Sequence, residues 1–161
     1  MTPLAMTNKR GHVEVLKYHI SKDVEIERSD KDGWPPLIWA CVRGLLSTAN
    51  DLLHVGADVN AADKRGWTAL HFSIHYDRLD VIKSLVSAGA DLNWPDEDGT
   101  TPLHIACFNG LIQILKYLLI NGADLQKAKF DGTTPLHSAS TEGHRNVVSF
   151  ILQQKEVTCI K

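Results

Sequence analysis

The chain has 161 residues, 43% of them hydrophobic, and a formal charge of −2. That length and apolar fraction suffice for a sizeable core, and the near-neutral balance gives no global pull toward nucleic acid or an anionic membrane. No apolar run approaches the roughly 18 residues of a membrane span, and Met1-Thr2-Pro3-Leu4 lacks the basic and apolar regions of a secretory signal.

From the N-terminus, Thr2-Pro3-Leu4 reads as a helix start, Gly11-His12-Val13-Glu14-Val15 as the opening of a second helix, and Asp23-Val24-Glu25 as the turn that follows. Asp32-Gly33-Trp34-Pro35-Pro36-Leu37-Ile38 starts the motif again, then Arg65-Gly66-Trp67-Thr68-Ala69-Leu70-His71. It is fullest in Asp98-Gly99-Thr100-Thr101-Pro102-Leu103-His104-Ile105-Ala106 and Asp131-Gly132-Thr133-Thr134-Pro135-Leu136-His137-Ser138-Ala139. Gly33, Gly66, Gly99 and Gly132 fall 33 residues apart without an insertion or deletion. A fixed period of that length means stacked supersecondary repeats.

Residues 99–131 give each repeat its mechanism. Thr101 reads as an N-cap, Pro102 suits the first helical position, and His104 is placed to bond back in the manner of a capping box. The short helix stops at Gly110, which tolerates positive φ. Leu111, Ile114, Leu115, Leu118 and Leu119 then form the apolar stripe of a second helix, closed by Asn121-Gly122-Ala123-Asp124.

Departures from the pattern mark weak points. Pro35 replaces the capping threonine, at a cost on the order of 1 kcal/mol. Asp77 replaces the glycine found at Gly44 and Gly110, so Tyr76-Asp77-Arg78 is a candidate soft point. The last helix keeps its apolar stripe through Val147, Val148, Phe150, Ile151 and Leu152, and Gln153-Gln154-Lys155-Glu156 gives a polar finish in place of a Gly-Ala-Asp turn.

Little in the chain suggests catalysis. There is no phosphate-binding glycine loop, paired zinc-ligand cysteines or nucleophile elbow. His71 and His75 have the i, i+4 spacing of helical metal ligands, but His71 is the phased histidine matched by His104 and His137, so a structural hydrogen bond explains it. Cys107 near His104 has the makings of a nucleophile and base, yet Cys41 occupies the same place beside Ile38, which favours packing. The cysteines (Cys41, Cys107 and Cys159) are odd in number, and the first two are equivalent positions in different repeats. They read as small buried thiols of a reducing compartment. The expectation is a cytoplasmic or nuclear chain that is not an enzyme and binds no metal or cofactor.

The series Gly-x-Thr-Pro-Leu-His-x-Ala, then Gly, an aliphatic helix and Gly-Ala-Asp-x-Asn resembles the ankyrin repeat. Residues 99–131 carry it almost throughout, 66–98 and 33–65 nearly as well, and 132–152 until the second helix ends. The resemblance implies an all-α solenoid of about five stacked helix-turn-helix repeats with β-turn or hairpin fingers. Residues 1–161 would form a single array, with repeats at about 1–32 (partial), 33–65, 66–98, 99–131 and 132–161 (partial, capping). A start in mid-repeat reads as a fragment of a longer array or as an imperfectly capped small protein, and regulation of a larger enzyme, kinase or channel is the alternative function.

In this family the turn tips and inner face of the first helix form a concave surface that binds other proteins. Carried over by phase, the turn positions are Lys31, Asp32, Trp34, Lys64, Arg65, Trp67, Glu97, Asp98, Thr100, Phe130, Asp131 and Thr133. The helix positions are Lys9, Arg10, Val42, Arg43, His75, Tyr76, Phe108, Asn109, Thr141 and Glu142. The candidate binding residues are Trp34, Arg43, Arg65, Trp67, His75, Tyr76, Phe108, Asn109 and Phe130, because aromatics and arginine most often carry interface energy. The expected partner of this monomer is a protein or peptide, with no nucleic acid and no membrane insertion. The first half of the set is basic and the second acidic, which would orient a partner of opposite polarity; ordinary solvated turn charges are the other reading. For Trp34 and Trp67 the other reading is packing of neighbouring turns, and Trp39 and Trp94 read as structural. Asn60 and Asn93, which close Gly-Ala-Asp-x-Asn, are similar to asparaginyl-hydroxylase acceptors or simply tie their turns by hydrogen bonds.

Overall fold

The computed structural model describes residues 26–159, with side chains described as far as 156. The readings placed on Thr2 to Glu25, including Lys9 and Arg10, and on the Cys159 side chain lie outside the described residues. Among the described residues there are eight helices and no strand. They alternate as short first helices and longer second ones: α1 Pro36–Arg43, α2 Leu46–His54, α3 Ala69–His75, α4 Leu79–Ser87, α5 Pro102–Phe108, α6 Ile112–Ile120, α7 Pro135–Thr141 and α8 Arg145–Cys159. The chain divides into two compact halves, Met1–Asp91 and Leu92–Lys161.

In the N-terminal half α1 packs on α2 and α3, α3 on α4, and α2 on α4. Ile38, Leu52, Leu70, Ile74, Ile82 and Leu85 form its fully buried core. In the C-terminal half α5 packs on α6 and α7, and α7 on α8, around Leu103, Ile114, Leu115 and Leu118. Of the stripe expected on α6, Ile114, Leu115 and Leu118 are buried and Leu111 and Leu119 partly so. No helix among the described residues is long and apolar enough to cross a membrane.

The helix starts follow the sequence reading closely. Thr68 and His71, Thr101 and His104, and Thr134 and His137 form capping boxes on α3, α5 and α7. In each the threonine N–H donates to the histidine Nδ1, at 3.1, 3.2 and 3.1 Å. Helix α1 has Pro35 at its N-cap and no side-chain cap bond there, as the missing threonine predicts. Asp77 takes a left-handed φ of 54°, close to the 68° and 70° of Gly44 and Gly110.

The fingers are tight turns rather than strands. Asp30, Asp63, Asp96 and Lys129 donate backbone N–H groups to the carbonyls of Trp34, Trp67, Thr100 and Thr133 at 2.8–3.1 Å. An isolated antiparallel bridge pairs Ala62 with Thr68.

Candidate interaction face

A carboxylate holds each of the first three described fingers. Asp30 Oδ1 accepts the N–H groups of Asp32 and Trp34, at 2.9 and 3.0 Å. Asp63 Oδ1 does the same for Arg65 and Trp67, and Asp96 Oδ1 for Asp98 and Thr100. Such Asx turns satisfy donors that a finger otherwise leaves to solvent. These aspartates fall one period apart, a phase visible in the sequence, and are not among the candidate binding residues. The fourth position is Lys129, and there Asp131 Oδ1 accepts the N–H of Thr133 instead, at 2.8 Å.

In the N-terminal half these fingers carry an aromatic cluster. Trp34 lies 4.6 Å from Trp39 and 4.8 Å from Phe72, between ring centroids. Trp67 lies 5.0 Å from the same Phe72 and 5.7 Å from His75, which meets Tyr76 at 4.9 Å. Trp39 and Phe72 are themselves one period apart, so each finger tryptophan meets helix aromatics and Phe72 joins the two fingers. The cluster leaves Trp34 and Trp67 half-buried and His75 and Tyr76 exposed. Trp39 is also fixed by its indole N–H, which donates to Asp30 Oδ2 at 3.1 Å.

Charged groups border these rings. The Arg65 guanidinium sits 5.3 Å above the Trp67 ring, and its Nε is 3.5 Å from Asp63 Oδ2. The Lys64 ammonium donates to the Lys31 carbonyl of the preceding finger. Asp32, Trp34, Trp39, Asp63, Lys64 and Arg65 line an open groove of about 350 Å³. Arg43 is exposed at the end of α1.

The C-terminal half holds Phe108, Asn109 and Phe130. Phe108 ends α5 and is 52% exposed, Asn109 is its half-buried C-cap, and Phe130 on the next finger is 77% exposed. The Phe130 N–H donates to the Asp98 carbonyl at 3.1 Å, fixing its backbone beside the preceding finger. Gly99 makes that approach feasible, since a Cβ there would lie 2.9 Å from Phe130 N.

The buried chemistry is structural in form. His104 Nδ1 accepts from Thr101, which leaves Nε2 to donate to the Thr133 carbonyl at 3.0 Å and so ties one repeat to the next. Burial holds its pKa below the ordinary histidine value, with the Thr133 bond acting in the opposite sense. Cys41 and Cys107 are free, buried thiols whose pKa values burial pushes up to about 12. A thiol in that state is a poor nucleophile. Among the described residues no three His, Cys, Asp or Glu groups come together as a metal would need.

Asn60 Oδ1 accepts the N–H of Asp91 at 2.8 Å, and Asn93 Oδ1 that of Asp124 at 2.7 Å. Glu27, one period earlier, accepts the N–H of Asp58. Asn60 and Asn93 thus bond across to the following repeat, where a tie within their own turn was expected.

No curated protein matches the chain. A family model described as ankyrin repeats, three copies, matches residues 1–63, 46–129 and 93–160. The chain belongs to the ankyrin-repeat family, whose repeats generally serve as protein–protein interaction modules.

Proposed function

We propose that the finger turns and first helices of this protein bind a partner protein, in the manner of an adaptor or scaffold. The observation that carries the reading is the exposure of Tyr76, Phe108 and Phe130, at 44%, 52% and 77%. All three stand at finger or first-helix positions, and exposed aromatics of this kind are what an interface buries. The capped helices and Asx-held fingers present them on ordered backbone, so little conformational entropy is lost on binding. The free thiols of Cys41 and Cys107 support a reducing compartment, cytoplasm or nucleus.

Site-specific photo-crosslinking tests the face. A crosslinkable side chain placed singly at Tyr76, Phe108 or Phe130 should capture a protein from cell lysate. The same group at Gln113 or Ile120, exposed on the second helix α6, should not. Capture from α6 alone would reject the assignment of the face.

A further inference from the structure

We propose that the Phe108–Phe130 face of the C-terminal half docks an extended basic segment of a partner protein, one with two apolar side chains four residues apart. This rests on the interaction reading above and specifies the chemistry of the partner.

The spacing follows from α5. Phe130 is anchored at Asp98 and Gly99, on the finger that leads into that helix three residues before Pro102, and Phe108 closes its other end, so the helix length is a lower bound on their separation. Seven residues at a rise of 1.5 Å place the helix ends about 10 Å apart. An extended chain rising about 3.3 Å per residue covers that distance in three to four residues, and because its side chains alternate between faces only the even spacing of four turns both toward one surface. Both backbones are held while the rings face solvent: the Phe130 N–H by Asp98, and the Phe108 carbonyl by His144 Nε2 at 2.7 Å.

The charge follows from the surrounding turns. Glu97 and Asp98 on one finger, Asp131 on the next and Glu142 at the end of α7 are all exposed carboxylates. Lys129 is the one basic side chain in those two fingers, Lys127 beside them is bound to the Asn93 carbonyl, and Arg145 stands three residues beyond Glu142; with Asp96 also in the first finger, the rim stays acidic on balance. A rim of this sign repels an acidic segment and speeds encounter with a basic one. The two phenylalanines then supply the apolar anchor points that charge alone lacks.

The test uses the full chain and three fluorescein-labelled synthetic dodecapeptides, read by anisotropy at 50 mM NaCl. One carries two Leu four positions apart among Lys and Ser, the second has Glu for every Lys, and the third has Ser for both Leu. The Lys–Leu peptide should bind at least tenfold more tightly than either control and weaken several-fold at 300 mM NaCl. Phe130→Ser and Phe108→Ser, with helicity checked, should each weaken it about tenfold, whereas Ile120→Ser leaves it unchanged. Equal binding of the three peptides, preference for the Glu peptide, or indifference to Phe130→Ser would overturn the inference. Crosslinking at Tyr76, Phe108 and Phe130 without preference for the Lys–Leu peptide would sink this inference and spare the general reading. Peptide binding lost in Ile120→Ser and kept in both phenylalanine variants would count against both.

Discussion

His104→Ala should be among the more damaging single changes in the C-terminal half. The ring accepts the Thr101 N–H through Nδ1 and donates to the Thr133 carbonyl through Nε2, and it is 1% exposed. Loss of a helix cap costs about 1 kcal/mol. Here that loss is the Thr101 N–H left buried without its partner, which raises its cost to about 2 kcal/mol, and loss of the bond to Thr133 costs about 1 kcal/mol more. His137 makes the same box on α7 but is exposed, so water replaces what His137→Ala removes and the cost stays near 1 kcal/mol. Urea unfolding followed by helicity measures both, and a difference of about 2 kcal/mol corresponds to a midpoint gap of about 1 M. Coincident helicity and tryptophan transitions are required for that conversion. Equal midpoints for the two variants would show that the inter-repeat bond and the burial of His104 contribute nothing.

Acid gives the same residue a second test with a definite sign. Burial first, with Lys129 assisting, holds the folded pKa below its ordinary value of 6.5, while the Thr133 carbonyl works in the opposite sense. The unfolded chain therefore takes up the proton first. Stability from the neutral ring is fully present above about pH 6.5 and is lost as pH falls through the lower folded value. Physically, a proton on Nδ1 would face the Thr101 N–H. The acid loss of stability should be shallower in His104→Gln, and an unchanged slope would remove His104 from the account.

Three further outcomes are expected. Gly110→Ala should cost about 2 kcal/mol or more and Gly143→Ala about 1 kcal/mol: both have positive φ, but only at Gly110 does a new Cβ meet a neighbour, His144 Nδ1 at 2.6 Å. Thermal melts of the two variants would expose the error if they coincide. Pro35→Thr should stabilise α1 by about 0.5–1 kcal/mol by supplying the cap its neighbours have, and a loss of stability would mean the rigidity of Pro35 outweighs the cap. With thiol pKa values pushed up to about 12, Cys41 and Cys107 should resist alkylation at pH 8 until urea unfolds the chain; mass spectrometry of tryptic peptides reads this directly.

What was legible in the sequence is what repeats at a fixed phase by local rules. Thr-Pro-Leu-His specifies a cap, a first helical residue and a returning imidazole within four positions, so α5 and α7 could be placed without knowing their neighbours. The α6 stripe was equally plain. Asp77 could be foreseen as left-handed because its phase is that of glycine. The finger aspartates Asp30, Asp63 and Asp96 recur at the same period but fall outside the turn positions carried over by phase, and an Asx bond differs from a solvated carboxylate only in geometry. The fate of Trp34 and Trp67 was open for another reason. Their burial depends on Phe72 and Trp39, whose counterparts at the same phase, Ile105 and Ser138, are not aromatic. A motif shared by all repeats cannot announce a cluster that arises in only one half.

The ties from Glu27 to Asp58, Asn60 to Asp91 and Asn93 to Asp124 each reach one repeat forward and no further. The repeats 33–65 and 66–98 thus each offer an acceptor downstream and a backbone donor upstream, like a coupling with one male and one female end. A foreign 33-residue module could be spliced in wherever it brings both fittings in the right order. Spliced in with a Leu at the Asn phase, the module would still fold helix on helix, but the seam after it would be the first to part under mechanical load.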